Sequence, residues 1–268
     1  MRDFIVMKKM TIGSIQKRKG SDPLVMITAY DALFARLFSE SADILLVGDS
    51  LNMSFGGNSD TLSATMDQMI YHTNAVCKGS PNTFVITDMP FGSYTDKKSA
   101  LANGIRVYRE TPADAIKIEG GADKAHLVKH LVDNGLAVCG HIGLLPQAFR
   151  AEGGYKVKGK SEEEALSLIA DAQALQEAGA FILVIEGVKA DVATRVAQSV
   201  SIPVIGIGAG NGVDGQVLVF SDMLGLYEPF VPKFVKQYLN GAALIKAAVS
   251  SYKTEVQNKE FPNENYIY

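Results

Sequence analysis

The stretch Ala115-Ile-Lys-Ile-Glu-Gly-Gly121 places a cation and a carboxylate two residues apart at the end of a short apolar run. As a β-strand it would aim Lys117 and Glu119 at the same face, because side chains along a strand alternate. A charged pair facing a protein interior is costly unless compensated, so its natural place is the mouth of a site. Four other apolar runs end in a polar residue in the same way: Ile44-Leu-Leu-Val-Gly-Asp49, Phe84-Val-Ile-Thr-Asp88, Leu136-Ala-Val-Cys-Gly-His141 and Phe181-Ile-Leu-Val-Ile-Glu186. Five strand ends with one grammar imply one cavity that collects them.

Outward from these runs, strand patterns alternate with helical stripes. Leu24 to Thr28 reads as a first strand, followed by Asp31 as the N-cap of a helix with Leu33, Phe34, Leu37 and Phe38 on one face. Thr65 and Gln68 form a capping box ahead of Met66, Met69, Ile70, Thr73 and Val76, and Ser161 with Glu164 opens the stripe Ala165, Leu168, Ile169, Ala172 and Leu175. Strands are expected at Phe181 to Ile185, from Pro203 onward and at Gln216 to Phe220. An amphipathic stretch from Lys233 to about Val256 precedes a polar tail. Eight strands, most followed by a helix, predict a (β/α)8 TIM barrel as a single domain over residues 1–268, with a short capped N-terminal helix from Thr11 to Lys19. In that fold functional side chains gather at the C-terminal strand ends, where Asp49, Asp88, Lys117, Glu119, His141 and Glu186 fall. A doubly wound open sheet is the alternative, but it would not bring all six together.

Composition narrows the function classes. The chain has 268 residues, 47% of them hydrophobic, enough for a full core, and its 26 basic and 29 acidic residues give a formal charge of −3 with no basic footprint for nucleic acid. Cys77 and Cys139 are the only cysteines and lack zinc or disulfide spacing. The apolar run near the N-terminus is too short for a signal peptide, and no stretch approaches the roughly 20 apolar residues of a membrane span, so a cytoplasmic protein is expected. His126 and His130 stand i, i+4, but Leu127 occupies the glutamate position of H-E-x-x-H, which leaves them as a solvated helix face. Gly206, Gly208 and Gly210 miss the dinucleotide fingerprint by one residue and read as a tight turn near a ligand. The Gly- and Lys-rich connection between Pro146 and Ser161 has the length of a functional lid.

Charge counting indicates the chemistry. Asp49, Asp88 and Glu119 against Lys117 leave −2 if all ionise, which a divalent cation would neutralise, and an all-oxygen donor set favours Mg²⁺ over zinc. Buried ion pairs around Lys117 are the bland alternative. Glu186 stands apart, where it could act as general base on a carbon acid whose carbonyl oxygen a metal holds, the metal stabilising the enolate as it forms. It could instead cap the next helix or pair with Lys189.

Val47-Gly-Asp-Ser50, Asp88-Met-Pro-Phe91, Lys117-Ile-Glu-Gly-Gly121, Gly140-His-Ile-Gly-Leu-Leu-Pro-Gln147, Gly153-Gly-Tyr-Lys-Val157 and Ile202-Pro-Val-Ile-Gly-Ile-Gly-Ala-Gly210 with Asp214-Gly-Gln216 resemble the ketopantoate hydroxymethyltransferase family. The resemblance runs from about Thr11 to Pro262. It implies a magnesium-dependent (β/α)8 barrel of the phosphoenolpyruvate/pyruvate superfamily, usually a homodecamer. Such an enzyme transfers a hydroxymethyl group from 5,10-methylenetetrahydrofolate to 2-oxoisovalerate in pantothenate biosynthesis. Carried over by position, it implies that Asp49 and Asp88 hold the metal, with Glu119 in or just behind its shell. Ser50 and Lys117, together with the metal-binding aspartates, would bind the keto acid; His141 would line the pocket, and Glu186 would remove the C3 proton. A lyase or mutase of the same superfamily, or a keto-acid-binding barrel without catalysis, are the rival readings.

Overall fold

Eight parallel strands, neighbours in sequence order, close into a barrel with β8 paired to β1. They are β1 Leu24–Thr28, β2 Ile44–Val47, β3 Phe84–Asp88, β4 Ala115–Glu119, β5 Val138–Gly143, β6 Ile182–Glu186, β7 Val204–Ile207 and β8 Gly215–Leu218. The computed structural model describes residues 9–228 and 230–268; the N-terminal apolar run read against a signal peptide lies outside them. The chain falls into two compact units, the barrel up to Val219 and a second unit, Phe220–Tyr268.

Alternation along the strands builds two cores in the barrel unit. One set of side chains fills the barrel interior, with Leu24, Met26, Ile44, Leu46, Phe84, Ile86, Ala115, Cys139, Ile182, Val184, Ile205, Ile207 and Val217 in one cluster. The other set, including Ile116, Ile118, Val138, Ile142, Leu183, Ile185 and Val204, packs outward under the helices. Burial on both faces explains why the strands read as continuous apolar runs. Around them lie α2 Ala32–Phe38, α3 Leu51–Ser54, α4 Met66–Gly79, α5 Lys97–Glu110, α6 Ala125–Asp133, α7 Phe149–Glu152, α8 Glu162–Glu177 and α9 Ala190–Ser199. Thr65 and Gln68 form the expected capping box of α4, and Asp31 caps α2; at α8 only Ser161 caps, and the box expected with Glu164 is not formed, because the Glu164 carboxylate accepts from the Lys160 amide instead.

The helix expected over Thr11 to Lys19 is shorter, α1 Ile12–Gln16, capped by Thr11 and Ser14. Its Ile15 is fully buried in the interior cluster, so α1 stoppers the barrel. Lys19, just beyond, reaches Asp214 Oδ2 at 2.8 Å and the Ala197 carbonyl at 2.5 Å, while the Asp214 carboxylate also accepts from the Gly20 and Val204 amides.

Several elements differ from the sequence reading. Leu51–Ser54, which carries no helical stripe in the sequence, is a one-turn helix, and the connection after β5 carries a 3-10 turn, Pro146–Ala148, and α7. In the second unit the amphipathic stretch becomes helical only at α11, Gly241–Gln257, preceded by the one-turn α10, Phe220–Met223. The reason lies in the preceding turn: the amides of Tyr238, Gly241 and Ala242 donate to the carbonyls of Met223, Leu224 and Gly225 instead of extending the helix backward. The polar tail is ordered as a 3-10 turn, Glu264–Tyr266, with the Phe261 ring between Tyr252 and Tyr266.

Candidate active site

At the C-terminal ends of the strands the interior columns turn from apolar to charged. On β3 the order is Phe84, Ile86, Asp88; on β4 it is Ala115, Lys117, Glu119; on β5 Cys139 gives way to His141, and on β6 Val184 to Glu186. Parallel register sets Asp88 beside Lys117, and Glu119 beside His141. The charged groups are therefore an upward continuation of the core columns, and that is why they are buried: Lys117 and Glu119 are 4% exposed, Asp88 and Asp49 3%, His141 2%.

Lys117 Nζ lies at the centre of this cluster, 3.1 Å from Asp88 Oδ1 and 3.9 Å from Glu119 Oε1. Its third neighbour is His141 Nδ1 at 3.1 Å. The same Nδ1 lies 3.4 Å from Glu119 Oε1; burial and the Lys117 charge oppose protonation of the imidazole, but Glu119 and Glu186 outweigh them and raise the His141 pKa. Nε2 lies 3.3 Å from Glu186 Oε2, which sets a Lys117–His141–Glu186 line across the barrel mouth. Glu186 neither caps α9 nor pairs with Lys189 among the described contacts.

Asp49 and Ser50 follow β2 in the turn into α3. The Asp49 amide donates to Asp88 Oδ2 at 3.0 Å, which couples the two aspartates. Gly48 leaves room for the serine, because a Cβ there would fall 2.8 Å from Ser50 Oγ. Ser50 Oγ shares a 2.7 Å hydrogen bond with the hydroxyl of the fully buried Tyr30, whose carbonyl meets His72 Nδ1 at 2.6 Å. Above the site, Arg150 of α7 reaches Asp60 Oδ2 through Nε and Nη2, and Asn52 Nδ2 donates to the Asp60 carbonyl. The long connection is thereby tied to the loop after α3.

Sequence reasoning did not single out Gln147, Tyr94 or the role of Tyr30. Gln147 Nε2 donates to Asp49 Oδ2 at 2.8 Å and to the Met89 carbonyl at 3.0 Å, its backbone amide donates to Glu119 Oε2 at 3.0 Å, and its Oε1 accepts from the Tyr94 hydroxyl. Glu119 thus has its oxygens turned to Gln147, His141 and Lys117.

The electrostatics follow from burial. Desolvation, then repulsion from Asp88 and Glu119, raises the Asp49 pKa well above the usual carboxylate range, and desolvation also raises that of Asp88 against the pull of Lys117. Burial opposes ionisation of Glu119 too, but hydrogen bonding to His141, the Lys117 charge and the Gln147 amide outweigh it and hold its pKa low. Burial likewise opposes the charge on Lys117, yet Asp88, Glu119 and Asp49 together raise its pKa, so it stays an ammonium.

The donor set fits a hard divalent cation. Asp88 Oδ1 is buried without a hydrogen bond of good geometry, although Lys117 faces it, and Asp49 and Asp88 are two adjacent carboxylates that one lysine cannot balance. Among the described residues no three His, Cys, Asp or Glu side chains converge as a closed metal cage. Two carboxylates with the remaining positions left to water and substrate oxygens are a magnesium type of arrangement. The histidines spaced i, i+4 lie elsewhere on α6, His126 exposed and His130 half-buried.

A sequence model described as Ketopantoate hydroxymethyltransferase matches residues 9–264. A 3-methyl-2-oxobutanoate hydroxymethyltransferase of Sulfurimonas denitrificans is 69% identical over 97% of this chain and 99% of its own length. Relatives of the same name from Aliarcobacter butzleri and Helicobacter pylori strain P12 are 60% and 54% identical, each over 97% of both chains. Among solved structures, 2,3-dimethylmalate lyase, a PEP mutase/isocitrate lyase superfamily member, superposes with a TM-score of 0.59 at 18% identity, covering 96% of this chain and 91% of its own. Phosphoenolpyruvate phosphomutase of Streptomyces platensis gives 0.62 at 14% identity, covering 97% and 92%. At such identities these two structures speak for the barrel fold alone.

Proposed function

The chain belongs to the ketopantoate hydroxymethyltransferase family, and from that premise we propose that it transfers a hydroxymethyl group from 5,10-methylenetetrahydrofolate to 2-oxoisovalerate, giving ketopantoate for pantothenate biosynthesis. The observation that carries the reading is the position of Glu186, partly open at the end of β6 and 3.3 Å from His141, facing the buried Asp49–Asp88–Lys117 cluster. A barrel that only bound a keto acid would need the cation and the lysine, but no carboxylate free to take a proton.

In this reading Asp49 and Asp88 hold Mg²⁺, and Glu119 supports them from behind. The ion, when bound, polarises the carbonyl of the keto acid and makes its C3–H more acidic. Lys117 offers its charge to the substrate carboxylate as a point cation, and Ser50, aimed by Tyr30, gives it a hydrogen bond. Glu186 removes the C3 proton. The electron pair left on C3 forms the new C–C bond to the methylene carbon of the folate as one of that carbon's two bonds to nitrogen breaks; a water oxygen then displaces the second nitrogen to give the hydroxymethyl group, and the two released nitrogens take up the C3 proton and the remaining water proton as tetrahydrofolate leaves. His141 stands beside Glu186, its Nε2 3.3 Å from Oε2 without a hydrogen bond of good geometry.

The test is to incubate the protein with 2-oxoisovalerate, Mg²⁺ and methylenetetrahydrofolate and assay ketopantoate, alongside deuterium uptake at C3 in D₂O with and without folate. Glu186→Gln should bind metal and keto acid yet lose turnover and exchange by about 10²- to 10⁴-fold. Wild-type exchange rates in the variant would remove Glu186 as the base, and folate-independent bond cleavage would favour a lyase. A cytoplasmic homodecamer belongs to the same proposal. The apolar face that Leu244, Ile245, Val249 and Tyr252 present on α11 supports its self-association, and light scattering checks the number of copies. Among the described residues no helix is long and apolar enough to cross a membrane.

A further inference from the structure

We propose that Gln147 is a positioning residue for the metal-binding carboxylates, and that Tyr94 holds it in the productive orientation. The inference rests on the reading of Asp49 and Asp88 as metal ligands. Gln147 is 8% exposed and stands in the Pro146–Ala148 turn, directly after the strand that carries His141. As the residue after a proline at the start of a 3-10 turn, it has an amide with no partner inside the turn. That amide is spent on Glu119 Oε2 at 3.0 Å.

The side chain has one workable orientation. Its neighbours Asp49 Oδ2 and the Met89 carbonyl are both acceptors, at 2.8 and 3.0 Å, so the NH₂ group must face them; rotating the carboxamide by half a turn would set oxygen against two oxygens. Tyr94 secures the other end. Burial keeps its phenol protonated, so it has a hydrogen to donate, and Gln147 Oε1 accepts it. Both amide hydrogens and the oxygen of Gln147 are thereby committed inside a nearly closed network.

The consequence falls on Asp49. With Oδ2 anchored by Gln147, the carboxylate plane is fixed and Oδ1 is the oxygen that can turn to a cation. A neutral donor achieves this without adding a positive charge that would compete with the ion. The same residue grips Glu119 through its backbone, so a single turn fixes the carboxylates of Asp49, just after β2, and Glu119 of β4 relative to each other, 98 and 28 residues away in sequence. Partners behind metal ligands commonly set affinity in this way, and their loss costs about 10- to 100-fold.

The experiment measures Mn²⁺ binding by electron paramagnetic resonance on the purified full chain, with no substrate or folate, alongside thermal melting. Gln147→Met keeps size and removes every polar contact of the side chain; its Mn²⁺ dissociation constant should rise by about 10- to 100-fold. Tyr94→Phe leaves both amide donors in place and should raise it less, by several-fold, while the double variant should match Gln147→Met because the two act in one chain of bonds. The same order should appear in the Mn²⁺ dependence of C3 exchange, with saturating metal restoring much of the rate. Wild-type Mn²⁺ affinity in a folded Gln147→Met protein overturns the proposal while leaving the metal reading intact. Should Gln147→Met fail to fold, Tyr94→Phe decides: unchanged affinity there overturns it. A wild-type protein that binds no Mn²⁺ overturns the metal reading and this inference with it.

Discussion

Replacing Lys117 by methionine isolates the charge balance of the site, because the substitution keeps volume and removes only the ammonium. Lys117 is 4% exposed, with Asp88 Oδ1 at 3.1 Å and Glu119 Oε1 at 3.9 Å. With an effective dielectric of about 20, those two contacts amount to about 5 and about 4 kcal/mol of attraction. Desolvation of the lysine itself offsets much of this, so the net loss should lie in the range of about 3–5 kcal/mol found when one partner of a buried pair is removed. The loss should depend on pH in a defined direction. Without the ammonium, the folded-state pKa values of Asp49 and Asp88, already raised by burial, rise further above their unfolded values. The destabilisation is thus full above the folded values and fades as pH falls toward the unfolded ones. Urea unfolding of the wild type and variant at pH 8 and pH 5 measures this, and Mg²⁺ at 100 times its dissociation constant should return about 2.7 kcal/mol to whichever protein binds it. Equal stability of the two proteins at pH 8 would refute the argument that three buried carboxylates depend on this one cation.

Further outcomes follow from other groups. Asp49→Ala or Asp88→Ala should abolish turnover, and chelation with EDTA should inactivate the wild type until Mg²⁺ is restored; full activity in chelator would exclude the metal role. Asp214→Ala breaks the carboxylate bonds to Lys19, Gly20 and Val204 beside the β8–β1 seam and should cost about 3 kcal/mol in urea unfolding, leaving metal affinity unchanged. Burial alone raises the Asp222 pKa to about 6, so its ionisation opposes folding above that pH and ceases to matter below the unfolded value. Asp222→Asn should therefore raise the melting temperature at pH 8 and leave it unchanged near pH 3.5, which scanning calorimetry across pH will check.

What was legible in the sequence is what periodicity and strand ends encode. Buried parallel strands appear as unbroken apolar runs, so β1 could be bounded correctly, and the polar residues at or just after the ends of such runs showed where the site would form. The i, i+2 spacing of Lys117 and Glu119 carried real information, because strand alternation forces both into the barrel. Boundaries slipped where the last inward residue is charged. Asp88 and Glu186 read as lying just past their strands, yet both belong to β3 and β6, since the ladder pairs them with Lys117 and with Gly143 and Ile207. The start of α11 was not legible either, because it is set by backbone bonds to a turn some 15 residues earlier that no local pattern records.

Gln147 marks the deeper limit. The run Gly140 to Gln147 was recognised as part of a motif, yet neither hydropathy nor charge distinguishes a glutamine that binds two carboxylates from one that faces water. Its importance comes from three contacts with Asp49, Met89 and Glu119, and from a phenol, Tyr94, supplied by the loop after β3. Asp49 follows β2, Met89 and Tyr94 follow β3 and Glu119 ends β4, and only closure of the barrel brings them together around a residue that follows β5. Charged residues declare themselves because burying them needs an explanation, whereas a neutral amide becomes informative only once its acceptors are known. The residues that would do the chemistry could thus be read from sequence, while those that aim them required the fold.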